Sequence, residues 1–258
     1  MGRGSVRAKA GGGAGMKRRP RSLTHLQCPA QIRAVTFDAG GTLIECWPSV
    51  GHIYAAAAAR AGFSGIGPGA LNRAFASAWH RFRDFRHARE QWAALVDATF
   101  GGLVQRPPSE TFFAALYERF AEPEVWHVFE DVIPTLEALR SRGFKLGVVS
   151  NWDERLRPLL RKLKLTGYFD AVVVSCEAGA CKPSPVIFRE AARALGLRPA
   201  QILHVGDSRE ADVRGARAAG GHALWLRRKQ QLPQPGVISS LRELAFAEPS
   251  ARTRKPGS

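Results

Sequence analysis

The chain has 258 residues, 45% hydrophobic and 23% charged, an ordinary globular composition that leaves room for one Rossmann-sized core with an insert and excludes collagen-like or wholly disordered classes. No apolar run reaches the ~18 residues of a membrane span, and Cys28, Cys46, Cys176 and Cys181 lack zinc-site or paired spacing, which fits a reducing cytoplasm. The net charge of +16 is concentrated at the ends: residues 1–30 hold seven Lys or Arg and residues 249–258 three, neither with an acid, leaving 28 bases against 22 acids between them.

That distribution argues against a nucleic-acid partner for the globular part. The Gly- and Arg-rich head, residues 1–30, cannot bury enough apolar surface to offset its ordering entropy, so it is expected to be disordered. It is the one segment suited to weak contact with nucleic acid or an anionic surface. It is Arg-rich and acid-free like a transit peptide, and it lacks the apolar segment of a signal peptide.

Past the head, "IRAVTF" (32–37) reads as a short buried strand. Residues 47–122 then show helical periodicity only, in "VGHIYAAAAARAG", "ALNRAFASAWHRF", "EQWAALVDATF" and, after Pro107 and Pro108, "SETFFAALYERF" with Ser109 as its expected N-cap. Alternation resumes with helix "VIPTLEALRSRG", strand "FKLGVVS", helix "ERLRPLLRKLKL" and strand "AVVVS". Helix "SPVIFREAARALG", strand "QILHVG", helix "READVRGARAAGG" and strand "HALWL" follow. The pattern predicts an α/β fold, a parallel-sheet core over 31–46 and 123–230 with an all-helical, four-helix insert over 47–122. A C-terminal helix and basic tail are expected over 231–258.

Ligands of such sheets bind beyond the carboxyl ends of the strands. There the sequence places Asp38 with Gly40, Gly41 and Thr42 in the turn, Ser150 and Asn151, and Asp207. Lys182 is expected to open the helix of "CKPSPVIF". A carboxylate at a strand end, with hydroxyls, an amide, a lysine and a further acid converging on it, suits phosphoryl transfer: Asp38 can act as nucleophile. Asp38, one backbone carbonyl and Asp207 are hard oxygen ligands for Mg²⁺, and Thr42, Ser150, Asn151 and Lys182 can hold phosphate oxygens.

These segments, "FDAGGTL", "VVSN", "KPSPVIF" and "VGDSREAD", resemble the four motifs of the haloacid dehalogenase superfamily in order. "SNWDERL" and "HVGDSREADVRGARAAG" look like its rhythmically expressed protein-like subfamily. The resemblance implies a Rossmann-like core with the four-helix insert as its helical cap after the first motif, Asp38 as nucleophile, Ser150, Asn151 and Lys182 as phosphate-binding groups, and a Mg²⁺ site of Asp38, the Gly40 carbonyl, Asp207 and Asp212. It implies a small phosphorylated metabolite as substrate.

One position departs from that pattern. Phosphatases of the family carry a second Asp, as general acid and base, where this chain has Gly40. Three readings follow: a phosphatase with a substitute acid or a weakly basic leaving group, a 2-haloacid dehalogenase, or a weakly active phosphate-ligand-binding protein. Asp207 and Asp212 argue against the dehalogenase, whose attack on carbon needs no metal. Asp153, His52 and His80 are the candidate substitute acids. His80 and His87, in "AWHRFRDFRHARE", are expected on a solvated basic helix face, or on a lid whose arginines attract an anionic substrate. Trp152 is placed either at the substrate entrance or in packing beneath the cap.

Overall fold

The computed structural model describes residues 31–82, 85–229 and 234–244. The basic head and the end of the basic tail lie outside them. In chain order, β1 (Ala34–Phe37) and β2 (Ile44–Cys46) are followed by four helices: α1 (Val50–Arg60), α2 (Pro68–Trp79), α3 (Arg89–Phe100) and α4 (Phe113–Arg119). Then come β3 (Trp126–Val128), α5 (Val132–Ser141), β4 (Lys145–Ser150), α6 (Leu156–Lys162), β5 (Ala171–Val174) and α7 (Ser175–Ala178). The chain continues through α8 (Pro185–Leu195), β6 (Ile202–Gly206), a π-helical turn (Arg209–Arg214), α9 (Gly215–Ala218), β7 (His222–Leu226) and β8 (Val237–Ile238).

Six strands pair in parallel in the order β5-β4-β1-β6-β7-β8. Alternate residues of β1, β4 and β6 feed opposite faces. Val35, Phe37, Leu146, Val148, Leu203 and Val205 join the core beneath α5 and α6, while Val149 packs with Ile187 and Phe188 of α8. Burial on both faces explains why these strands read as continuous apolar runs. Each fully buried aliphatic side chain contributes about 1.5–3 kcal/mol.

The four helices between β2 and β3 enclose their own core around Tyr54, Leu71, Phe100, Phe112 and Leu116. β2 and β3 pair antiparallel, Ile44 opposite Val128 and Cys46 opposite Trp126, and so close the base of this insert. Among the described residues, no helix is long and apolar enough to cross a membrane.

Three local expectations need correction. Ser109 does not cap α4. It lies in a 3-10 turn (Pro108–Glu110) whose Ser109 N–H donates to Asp97 at 2.8 Å, and α4 starts at Phe113. Lys182 does not open α8: Ser184 is the N-cap, accepting from Val186 N–H, and Pro185 is the first helical residue, where its missing N–H costs nothing. Residues 234–244 form β8 and a 3-10 turn (Leu241–Leu244) instead of a C-terminal helix.

Candidate active site

Because β1 lies between β4 and β6, the residues ending these strands converge. Asp38 extends the register by donating its N–H to the Val205 carbonyl at 2.9 Å. Ser150, the last residue of β4, donates to Asp38 Oδ1 at 2.9 Å. Lys182 Nζ reaches Asp38 Oδ1 and Asp212 Oδ1, each at 2.6 Å. Asn151 holds that lysine in place, its side chain accepting from Lys182 N–H (2.6 Å) and donating to the Lys182 carbonyl (3.0 Å). Asn151 thus reaches the lysine's backbone, which explains how a loop residue before α8 is positioned.

Asp212 also accepts from Ser208 N–H at 2.9 Å and pairs with His204 Nε2 at 3.1 Å. His204 is buried on β6 directly opposite Thr36, whose hydroxyl meets its Nδ1 at 3.0 Å. A carboxylate only accepts, so the tautomer protonated on Nε2 satisfies both contacts, with Thr36 donating to Nδ1. Sequence reasoning missed His204; a histidine amid the apolar run "ILHVG" was the available signal.

Two glycines permit this crowding. Gly41 has φ +74°, and a Cβ there would lie 2.4 Å from Asp207 Oδ2; a Cβ on Gly206 would lie 2.1 Å from Asp212 Cγ. Carboxylate oxygens of Asp38, Asp207 and Asp212 come within 4.8 Å of one another. Burial and the carboxylate of Asp212 push Asp38 up, against the pull of Lys182. Burial, then Asp38 and Asp212, push Asp207 up to about 7 although its side chain opens to the cavity. Burial alone would also raise Asp212, but Lys182 and His204 outweigh it and hold it well below the usual carboxylate range. Burial would lower Lys182, but Asp212 and Asp38 keep it charged. Three acids against one ammonium is a donor set that fits a hard divalent cation.

Asp38, Gly40, Ser150, Asn151, Lys182, Asp207 and Asp212 all border one cavity of about 510 Å³. Thr42 is fully buried, does not border it, and its hydroxyl has no hydrogen-bond partner among the described residues. The Thr42 carbonyl instead accepts from Arg228 Nη2 at 2.6 Å, and Arg228 is anchored on Asp131.

Gly40 faces Trp152: a Cβ on residue 40 would stand 3.2 Å from the indole Cζ3. Trp152 is held by reciprocal backbone bonds with the Ser175 hydroxyl, both 3.0 Å, and by ring contact with Trp126 at 5.2 Å. Among the candidate substitute acids, Asp153 is buried with both oxygens engaged by Arg155, at 2.8 and 2.6 Å, and one also by Trp92 Nε1 at 2.9 Å. His52 borders a separate groove, and His80 is an exposed residue that borders no part of the cavity. His87 is not on a solvated helix face: it lies between α2 and α3 with φ 65°, buried, lining the cavity, its Nδ1 without a partner among the described residues. Burial pushes it down to about 4, so it is a neutral imidazole.

The haloacid dehalogenase-like hydrolase family profile matches residues 32–220. The chain belongs to this family of hydrolases. It is 33% identical over 246 residues to the human haloacid dehalogenase-like hydrolase domain-containing protein 3, covering 88% of this chain and 98% of that one. The Drosophila melanogaster rhythmically expressed gene 2 protein is 28% identical over 221 residues, covering 78% and 85%. Both are relatives of the subfamily that the second and fourth motifs resemble. Among solved structures, a haloacid dehalogenase-superfamily phosphatase from Thermococcus onnurineus is 30% identical with a TM-score of 0.61, covering 83% of this chain and 96% of that one.

Proposed function

We propose that this hydrolase is a Mg²⁺-dependent phosphatase acting on a small phosphate monoester through an aspartyl phosphate on Asp38. The observation that carries the reading is the Ser150–Asp38–Lys182–Asp212 chain of hydrogen bonds at the cavity floor. Likeness to a solved phosphatase at 30% identity supports it.

Asp38 attacks phosphorus as the bond to the ester oxygen breaks, and the leaving oxygen departs with the electron pair. Lys182 and Ser150 orient the carboxylate and then face the transferred phosphoryl oxygens, whose charge they offset. Water cleaves the phosphorus–oxygen bond to Asp38, regenerating the carboxylate, and its two hydrogens leave on the phosphate. Asp38, the Gly40 carbonyl and Asp207 would hold Mg²⁺, with Asp212 supporting them; bound there, the ion supplies neutralisation of phosphate charge. A cytoplasmic setting suits the unpaired Cys46, Cys176 and Cys181.

The test is phosphate release from an aryl phosphate by wild type and Asp38→Asn, with Mg²⁺ or EDTA. Release that needs both Asp38 and Mg²⁺ supports the reading; release unchanged in Asp38→Asn rejects it.

A further inference from the structure

The cavity has two chemically different ends. Its floor is the carboxylate and lysine cluster. Its upper wall is aromatic, built from Tyr54, Phe75, Trp79, Trp92, Trp126 and Trp152. These rings brace one another: Tyr54 meets Phe75 edge-on at 5.9 Å, Phe75 stacks on Trp79 at 5.9 Å, and Trp79 lies 5.9 Å from Trp92. The cavity's volume of about 510 Å³ is ample for a fused-ring ligand.

Charge at that end is already spent. Among the described residues, Arg155 is the one Lys or Arg bordering the cavity apart from Lys182 on the floor. Its guanidinium is bidentate to Asp153, donates to the Tyr117 carbonyl at 2.5 Å, and lies 3.4 Å over the Tyr117 ring. A leaving group rich in hydroxyls or carboxylates would bury them against rings that offer few partners, at a cost of roughly 1–3 kcal/mol for each unmet group. A planar apolar leaving group meets the ring faces and edges of that wall, where His87 Nδ1 is a polar atom without a partner among the described residues.

Gly40 provides a second, independent argument. Residue 40 is glycine, with the Trp152 indole 3.2 Å from its ideal Cβ, so no carboxylic acid stands at that position to protonate the departing oxygen. Alkyl oxides leave poorly without such a donor, whereas phenolates leave unaided; general acids are worth roughly 10²–10⁴ in rate. Resting on the phosphatase reading above, we infer that the substrate class is phosphate monoesters of bulky aromatic alcohols. The ring sits among the cap aromatics and the ester oxygen leaves as a phenolate that takes its proton from water.

The test compares wild-type kcat/KM, with Mg²⁺ present, for 2-naphthyl phosphate, phenyl phosphate and glycerol 1-phosphate. The two aryl esters have leaving groups of similar acidity, so their ratio reports the pocket. The expected order is naphthyl above phenyl by about tenfold or more, and phenyl above glycerol phosphate by about 10² or more. Trp79→Ala, at a partly exposed ring, should reduce the naphthyl-to-phenyl ratio toward unity. Binding of 2-naphthylphosphonate and methylphosphonate supplies a readout free of turnover, with the naphthyl compound expected to bind at least about tenfold tighter.

Phosphate release with no preference for the larger ring, or with glycerol phosphate as the best ester, overturns the inference and leaves the phosphatase standing. Equal binding of the two phosphonates overturns it as well. Absence of Asp38-dependent release from every ester overturns the phosphatase reading, and the inference falls with it.

Discussion

The Trp152 indole fills the space into which a side chain at Gly40 would project, its Cζ3 3.2 Å from the ideal Cβ position. A side chain at residue 40 therefore requires the indole to give by a few tenths of an ångström. Ser175 fixes the Trp152 backbone and the Trp126 ring packs against the indole at 5.2 Å, so that shift is opposed. Gly40→Asp alone should lose about 1–3 kcal/mol of stability by overpacking and gain no turnover of alkyl esters. Gly40→Asp combined with Trp152→Ala should gain about 10²-fold on glycerol 1-phosphate over Gly40→Asp. Urea melts and phosphate-release assays on the three proteins check both outcomes.

The Lys182 ammonium is the lone cation among three acids on the cavity floor. Lys182→Met should cost about 3–5 kcal/mol, since it leaves Asp38 and Asp212 buried without their partner. In wild type, Mg²⁺ should raise the midpoint of thermal unfolding as any ligand of the folded state does. Asp207→Ala should show a much smaller rise. Differential scanning calorimetry with and without Mg²⁺ tests this without recourse to activity.

Burial pushes His87 down to about 4 from an ordinary 6.5. Well above pH 6.5 it is neutral in both folded and unfolded chains and contributes nothing to pH dependence. Between pH 6.5 and 4 the unfolded chain takes a proton that the folded chain refuses, so stability falls as pH falls. The loss approaches about 3 kcal/mol at the low end. His87→Phe, which keeps a ring among Phe85, Trp79 and Trp92, should lose less stability than wild type between pH 7 and 4.5. Equal losses in urea denaturation would contradict the buried, neutral placement.

Asp153 and Arg155 join the four-helix insert to the loop that follows β4. Arg155 donates to Tyr117 of α4, and Asp153 accepts from Trp92 of α3. Asp153→Ala should cost about 3–5 kcal/mol by stranding the buried Arg155, and Trp92→Phe about 1 kcal/mol. Asp153→Asn should leave the shape of the pH–rate profile unchanged, because the carboxylate faces Arg155 and not the substrate. A lost acidic or basic limb in that profile would mean that Asp153 moves a proton after all.

The strand-end residues were legible because they obey local rules: an apolar run, then a polar residue where a parallel sheet exposes its carboxyl edge. Asp38, Ser150, Asn151 and Asp207 face the cavity for that reason, while Lys182, in a loop, and Asp212, in the π-helical turn, were legible from the motif resemblance. The position of His87 was not legible. "AWHRFRDFRHARE" looks like one charged helix, yet α2 stops at Trp79, α3 starts at Arg89, and His87 turns inward with φ 65°. Burial of aromatic rings there overrides local helix propensity. The β2–β3 pairing was invisible for another reason: Ile44 and Val128 are joined across the whole insert, and no local periodicity reports it. Asp153 read as a free acid because a loop spacing does not show that Arg155 folds back on it.

The most direct measurement is a rapid acid quench of wild type and Asp38→Asn during turnover of 2-naphthyl phosphate with Mg²⁺, followed by peptide mass spectrometry. One phosphoryl group should appear on Asp38 of wild type and decay at the rate of phosphate release, and Asp38→Asn should show neither adduct nor release. Phosphate release from Asp38→Asn at the wild-type rate, with no adduct on either protein, would contradict Asp38 as the nucleophile.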